Sequence, residues 1–202
     1  MAEGNIMPNE TPRAKGASIL GMIESLRRAR GTDAVNALYS ELPIELQEKL
    51  KYRGIVQSGW YPLDWLLKVL AAIKKITGGK REILRELANM TLKEALTKGV
   101  YKYARLIMSR KSILKRAPFF FNSYIYNAVM KITEVTNTGG RLQCSNCKGF
   151  NKDMWEAVIG SVQAVIEVHN GRIHSVAVHT GGGDGDDMID LEMGFTWKID
   201  MD

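Results

Sequence analysis

The stretch Ser58-Gly59-Trp60-Tyr61-Pro62-Leu63 separates a short polar segment from a long amphipathic one, and its reading sets the fold. Pro62 has no backbone N–H and a fixed φ, which suits the first turn of a helix. Trp60 and Tyr61 precede it, where large rings can fix the angle at which the chain enters that helix. Downstream, Leu63, Leu66, Leu67, Leu70 and Ile73 recur at three- and four-residue steps, so the spacing predicts a helix over 63–76, closed by Gly78-Gly79.

Outward from there, the N-terminal side is helical. Ile19, Leu20, Ile23 and Leu26 share a face over 16–30, and Arg27, Arg28 and Arg30 cluster where they complement the helix dipole. Gly31 ends that helix. Thr32 opens a second, through Val35, Leu38 and Tyr39, and Pro43 starts a short third over 44–50. On the C-terminal side, helices are expected over 80–98, 100–108 and 112–124, the last carrying Phe119, Phe120 and Phe121, with Pro118 breaking or kinking it.

The pattern then changes. A β-branched run through Val129, Ile132 and Val135 meets Asn137-Thr138-Gly139-Gly140, a hairpin turn signal, with 141–144 as the return strand. Asn151 N-caps a long helix whose buried side holds Trp155, Val158, Ile159, Val162, Val165 and Ile166. Asn170-Gly171 turns into a strand over 173–179. Leu191, Met193, Phe195 and Trp197 alternate with Glu192, Gly194, Thr196 and Lys198 in a half-buried final strand. The expected class is α+β: an N-terminal helical lobe, then a small antiparallel sheet in the order β-β-α-β-β, packed on helices. One domain spans 16–198, between tails at 1–15 and 199–202.

Composition bounds the function. The chain has 202 residues and 45% hydrophobic content, enough for one sizeable core. No apolar run approaches the roughly 18 residues of a transmembrane helix, and residues 1–15 lack the apolar core of a secretory signal. With two cysteines the chain is no disulfide scaffold, and a reducing cytoplasm is the expected compartment. Residues 98–131 hold eight Lys/Arg and no Asp/Glu, while the last 22 residues hold seven Asp/Glu and one Lys. Such runs are usually solvated faces, although a basic segment can also recruit an anionic partner.

The first 100 residues carry a resemblance. The N-terminal helix, Leu42-Pro43 before a short helix, the Trp60-Tyr61-Pro62 entry and the run Arg85-Glu86-Leu87-Ala88 followed by Glu94-Ala95-Leu96 look like a family abundant in myxobacteria, which resembles the 4-vinyl reductase domains. Those domains share a fold with haem-type nitric oxide sensors and TRAPP tethering subunits. The resemblance covers about 15–198 and contains no catalytic motif, so it implies a fold more than an activity. Two departures matter. Related domains carry a Cys in the last strand, where this chain has Leu191 before Trp197. Haem sensors of this fold use a helical His as iron ligand, whereas His169, His174 and His179 all lie at or beyond the end of the last helix, so haem is not expected.

Three constellations bear on chemistry. Cys144-Ser145-Asn146-Cys147 is a C-x-x-C in a turn, with the spacing of half a zinc knuckle. His174 and His179 are the further donors considered, but five apart on a strand they face opposite sides, and a dimer would have to supply the missing thiolates. A redox pair and two plain thiols are the alternatives. The run from Gly181 to Asp187 resembles a Ca²⁺ loop in composition but lacks the twelfth-position Glu and the flanking helix pair, and is expected to be a flexible strand connection. Phe120 and Tyr124, with Trp60 and Tyr61, are the expected walls of an apolar ligand pocket, with Lys115 or Arg116 at its mouth. The same mixture suits stacking on nucleic acid, but no helix-turn-helix, RNA-binding or OB signature accompanies it.

No nucleophile-base set or metalloprotease motif is present, so the expectation is a non-enzymatic module. It would bind an apolar or amphipathic small molecule between helices and sheet, act as a homodimer, and signal to a separate output protein. The competing expectation is a homodimeric adaptor, with or without structural zinc at Cys144 and Cys147.

Overall fold

Trp60–Pro62 is a strand as well as a helix entry. The computed structural model describes residues 12–98, 112 and 114–197. In it, strand β1 (Arg13–Lys15) runs antiparallel to β2 (Trp60–Pro62) on one side and to β3 (Ile125–Tyr126) on the other. Ala14 pairs with both Tyr61 and Ile125. Tyr61 clasps this junction: its hydroxyl accepts from Val56 N at 2.8 Å and donates to Gly54 O at 3.2 Å, and its ring stacks on Trp65 at 5.6 Å. Residues 12–15, expected within a tail, are part of the fold. Pro12 is buried and residues 13–15 join a sheet, because β2 and β3 both present unpaired backbone to them.

Helix α1 (Gly16–Glu41) is interrupted where Gly31 takes φ 83° and ψ −179°, the break the sequence predicts. Helix α2 (Ile44–Lys51) follows Pro43, and α3 (Leu63–Ile76) has the bounds its periodicity predicts. Helix α4 (Glu82–Thr97) precedes the segment in which a helix over 100–108 was expected; that segment lies outside the described residues. Helix α5 (Ala117–Tyr124) corrects the role of Pro118, which sits in the first turn where its missing N–H removes no intrahelical bond.

Strands β4 (Val129–Val135) and β5 (Gly139–Ser145) form the expected hairpin. Helix α6 (Lys152–Glu167) is capped by Asn151, whose Oδ1 accepts from Met154 N at 2.9 Å. Strands β6 (Gly171–Gly181) and β7 (Ile189–Trp197) complete a four-stranded antiparallel sheet in the order β4-β5-β7-β6. Ile189, Leu191, Met193 and Phe195 of β7 are buried, and Glu192 and Thr196 are exposed, so the alternation holds.

Helices α4 and α6 lie against one another with little between them. A Cβ on Gly160 would fall 2.1 Å from Arg85 O, so only glycine permits this approach. Ion pairs flank the seam: Arg85 with Glu156 at 2.8 Å, and Lys93 with Glu167, which also accepts from Asn89 at 3.1 Å. Asp153, buried at the start of α6, ties it to the α3–α4 connection through Lys74 at 2.5 Å and Arg81 at 2.7 Å. The architecture is thus α+β, a helical lobe followed by an antiparallel sheet packed on helices.

Candidate functional site

Close packing at α4–α6 leaves space elsewhere. A cavity of about 810 Å³ opens between α1, α4, α5, α6 and the start of β4. Leu20, Met22, Leu92, Phe120, Met130, Met154, Val158, Val162 and Val165 are among the apolar residues of its wall, with small side chains at Ala88, Ala157 and Ser161. Helix α1 approaches α4 closely along one side, where Ser25 Oγ and Thr91 Oγ1 are 2.8 Å apart and Thr91 faces Gly21. The volume falls in the range of small-molecule pockets, about 300–1,000 Å³, and the mostly apolar wall is typical of them.

Among the described residues, the charged side chains of the wall gather in one network. Glu24, Arg27 and Arg28 come from α1, and Glu94 and Lys98 from the end of α4. Arg27 Nη1 donates to Glu24 at 2.6 Å and Arg28 Nε to the same carboxylate at 3.2 Å. The Arg28 guanidinium also donates to Glu94, which accepts from Lys98 Nζ at 2.5 Å. Hydrogen bonds from Arg28 and Lys98 hold the Glu94 carboxyl below its ordinary range, and the bond to Glu94 raises Arg28. Among the described residues, three cations share two carboxylates at this rim, an excess of one positive charge.

Phe120 and Tyr124 are among the cavity-lining residues, while Trp60, Tyr61, Lys115 and Arg116 are not. Trp60 rests on Tyr126, with ring centroids 5.8 Å apart, and Lys15 Nζ lies 5.5 Å from its ring centre. Lys115 and Arg116 are exposed in the turn before α5. The rim residues Arg27 and Arg28 read in sequence as a helix-dipole complement. Their bonds to Glu24 are local, but the bond from Arg28 to Glu94 spans 66 residues, which no local pattern signals.

Cys144 and Cys147 are free and fully buried, one on β5 and one in the turn after it. Burial pushes both thiols up, and with Asp187 nearby Cys147 reaches about 12. Among the described residues no group of three or more His, Cys, Asp or Glu is placed to hold a metal. His174 and His179 are exposed on β6, and His179 meets Glu192 at 3.1 Å. The Gly181-to-Asp187 run is tethered: Asp184 accepts from Lys152 N at 2.9 Å, Asp186 from Gly183 N at 2.7 Å, and Gly183 O from Trp155 Nε1 at 3.2 Å. Among the described residues no helix is long and apolar enough to cross a membrane.

No protein-family model matches the chain, and no curated protein matches it. Solved structures do. An Fe(II) unliganded H-NOX protein from K. algicida superposes with a TM-score of 0.68 at 11% identity, over 93% of this chain and 100% of that one. A point mutant of the T. Tengcongensis H-NOX gives 0.61 at 16%, over 90% and 97%. An oxygen-binding H-NOX domain related to soluble guanylate cyclases gives 0.58 at 16%, over 90% and 94%. The chain therefore has the α+β fold of the H-NOX domains.

Proposed function

We propose that this protein is a non-enzymatic, sensor-like module that takes an apolar or amphipathic small molecule into the cavity between its helices and sheet. The bound state would be passed to a second copy or a separate output protein. The observation that carries the reading is the cavity of about 810 Å³ walled by apolar side chains, in a fold whose solved examples include an oxygen-binding domain.

The H-NOX fold implies haem, and one of these structures was used to probe haem distortion. The residues here do not fit a histidine-ligated haem. The chain has three His, none before residue 169, and no His or Cys lines the cavity among the described residues. The cavity is better matched to a ligand held by apolar contact.

The test is native mass spectrometry of freshly purified protein, with binding of a neutral solvatochromic dye to wild type and to Ala157→Phe, which projects a ring into the space. A co-purifying organic mass, or dye binding lost in a variant that keeps its Tm, supports the proposal. Dye binding unchanged in a folded Ala157→Phe protein refutes it. A second reading, the dimeric adaptor, draws on exposed apolar residues Ile44, Tyr52, Val56 and Trp60 over 44–60. It predicts a dimer at micromolar concentration by light scattering, with no bound organic mass.

A further inference from the structure

We infer that the cavity takes a single-tailed anionic amphiphile, with its tail among the apolar residues and its head group held by Arg27, Arg28 and Lys98. The inference rests on the cavity reading above and adds the ligand class and the anchoring residues. Charge carries it. Among the described residues, the five charged side chains of the wall all lie in the network that joins α1 to α4, and cations exceed carboxylates there by one. One monoanionic head group balances that excess.

Geometry agrees with charge. The side chains of Arg27, Arg28 and Lys98 are 46%, 43% and 67% exposed, so a head group docked on them stays hydrated while its tail leaves water. Guanidinium groups present several N–H donors in one plane, so two adjacent arginines can grip a carboxylate or phosphate without giving up every bond to Glu24 and Glu94. Arg28 is the pivotal residue because, among the described residues, it alone bridges both carboxylates. An anion that draws Arg28 toward itself weakens the α1–α4 link, which gives the site a route to alter helix packing on binding. A fatty acid and a lysophospholipid with a phosphate head share this chemistry.

The experiment titrates three probes of equal chain length into the full chain: hexadecanoate, a hexadecyl lysophosphatidate and hexadecanol, each by displacement of a neutral dye. Both anions are expected to bind at least tenfold tighter than the alcohol, with an affinity that falls as salt rises. Arg27→Gln/Arg28→Gln is expected to bring the anions down to the affinity of the alcohol and leave the alcohol unchanged, while Arg28→Lys restores part of the preference. The stronger of the two anions identifies the head group. Equal binding of all three probes, or an anion preference that survives the double variant, overturns the head-group assignment and leaves the cavity reading intact. No binding of any probe overturns the cavity reading itself. Should the double variant not fold, Lys98→Gln and the salt dependence of wild-type binding test the same charge balance, and salt-independent anion binding refutes it.

Discussion

Replacing Gly160 by alanine is expected to destabilise the protein, although alanine is the better helix former. The added Cβ would sit 2.1 Å from Arg85 O and 2.8 Å from Arg85 C, both backbone atoms of α4. No rotamer change can relieve that overlap, so α4 and α6 must separate by about 1 Å, disturbing Leu84 and Leu87 in the core beneath the seam. Overpacking of a close-packed interface costs about 3 kcal/mol at the upper end of its usual range. The helix-propensity gain of alanine over glycine returns about 1 kcal/mol. The net loss is about 2 kcal/mol, a fall in Tm of about 4–8 °C for a domain of this size. Thermal and urea unfolding followed by circular dichroism measure it. An unchanged or raised Tm would show that the two helices are not in backbone contact there and would refute the reasoning. Gly21→Ala supplies the contrast, because its Cβ meets only a side-chain atom, Thr91 Cγ2, at 2.4 Å. Thr91→Ser removes that carbon while keeping the hydroxyl that meets Ser25, so it should rescue Gly21→Ala.

Three further outcomes are expected. Asn151→Ala should cost about 1 kcal/mol in urea unfolding, because it orphans Met154 N at the start of α6; an unchanged midpoint counts against the cap. Asp190, bonded to Arg141 at 2.7 and 2.8 Å and to Gln143 at 3.0 Å, is held down to about 2 by those hydrogen bonds. Because its folded value lies below the ordinary carboxyl range, the stability it contributes is complete above about pH 4 and is lost as pH falls toward 2; Asp190→Asn should flatten that limb of a Tm–pH profile, and an identical profile argues against the pair. Cys144 and Cys147, both buried with raised pKa values, should resist iodoacetamide at pH 8 in the native protein and react in denaturant; fast native alkylation of either by mass spectrometry contradicts their burial.

What could be read from the chain was local. The α3 face, the Gly31 break, the Asn151 cap, the hairpin at 137–140 and the alternation along β7 each arise within a few residues, where backbone sterics, capping and periodicity act. Their order then leaves few ways to pack, so the α+β class and the β-β-α-β-β sequence follow. Strands of two or three residues carry no period, and the β2-β1-β3 sheet was therefore hidden, with Tyr61 read as an entry aromatic rather than as its clasp.

The amino-acid sequence by itself determined the longer helices, the strands of the four-stranded sheet, their order and the absence of histidine from the helical lobe. Only the tertiary structure decided what lines the cavity. It placed Phe120 and Tyr124 in the lining, left Trp60, Tyr61, Lys115 and Arg116 outside it, and brought Arg27, Arg28 and Lys98 into it. The reason is physical: a cavity and its charged rim are made by side chains that meet across tens of residues, as Arg28 meets Glu94, and such meetings depend on how closely the helices approach. That approach is set by single contacts such as Gly160 on Arg85, where the absence of one carbon lets two backbones touch.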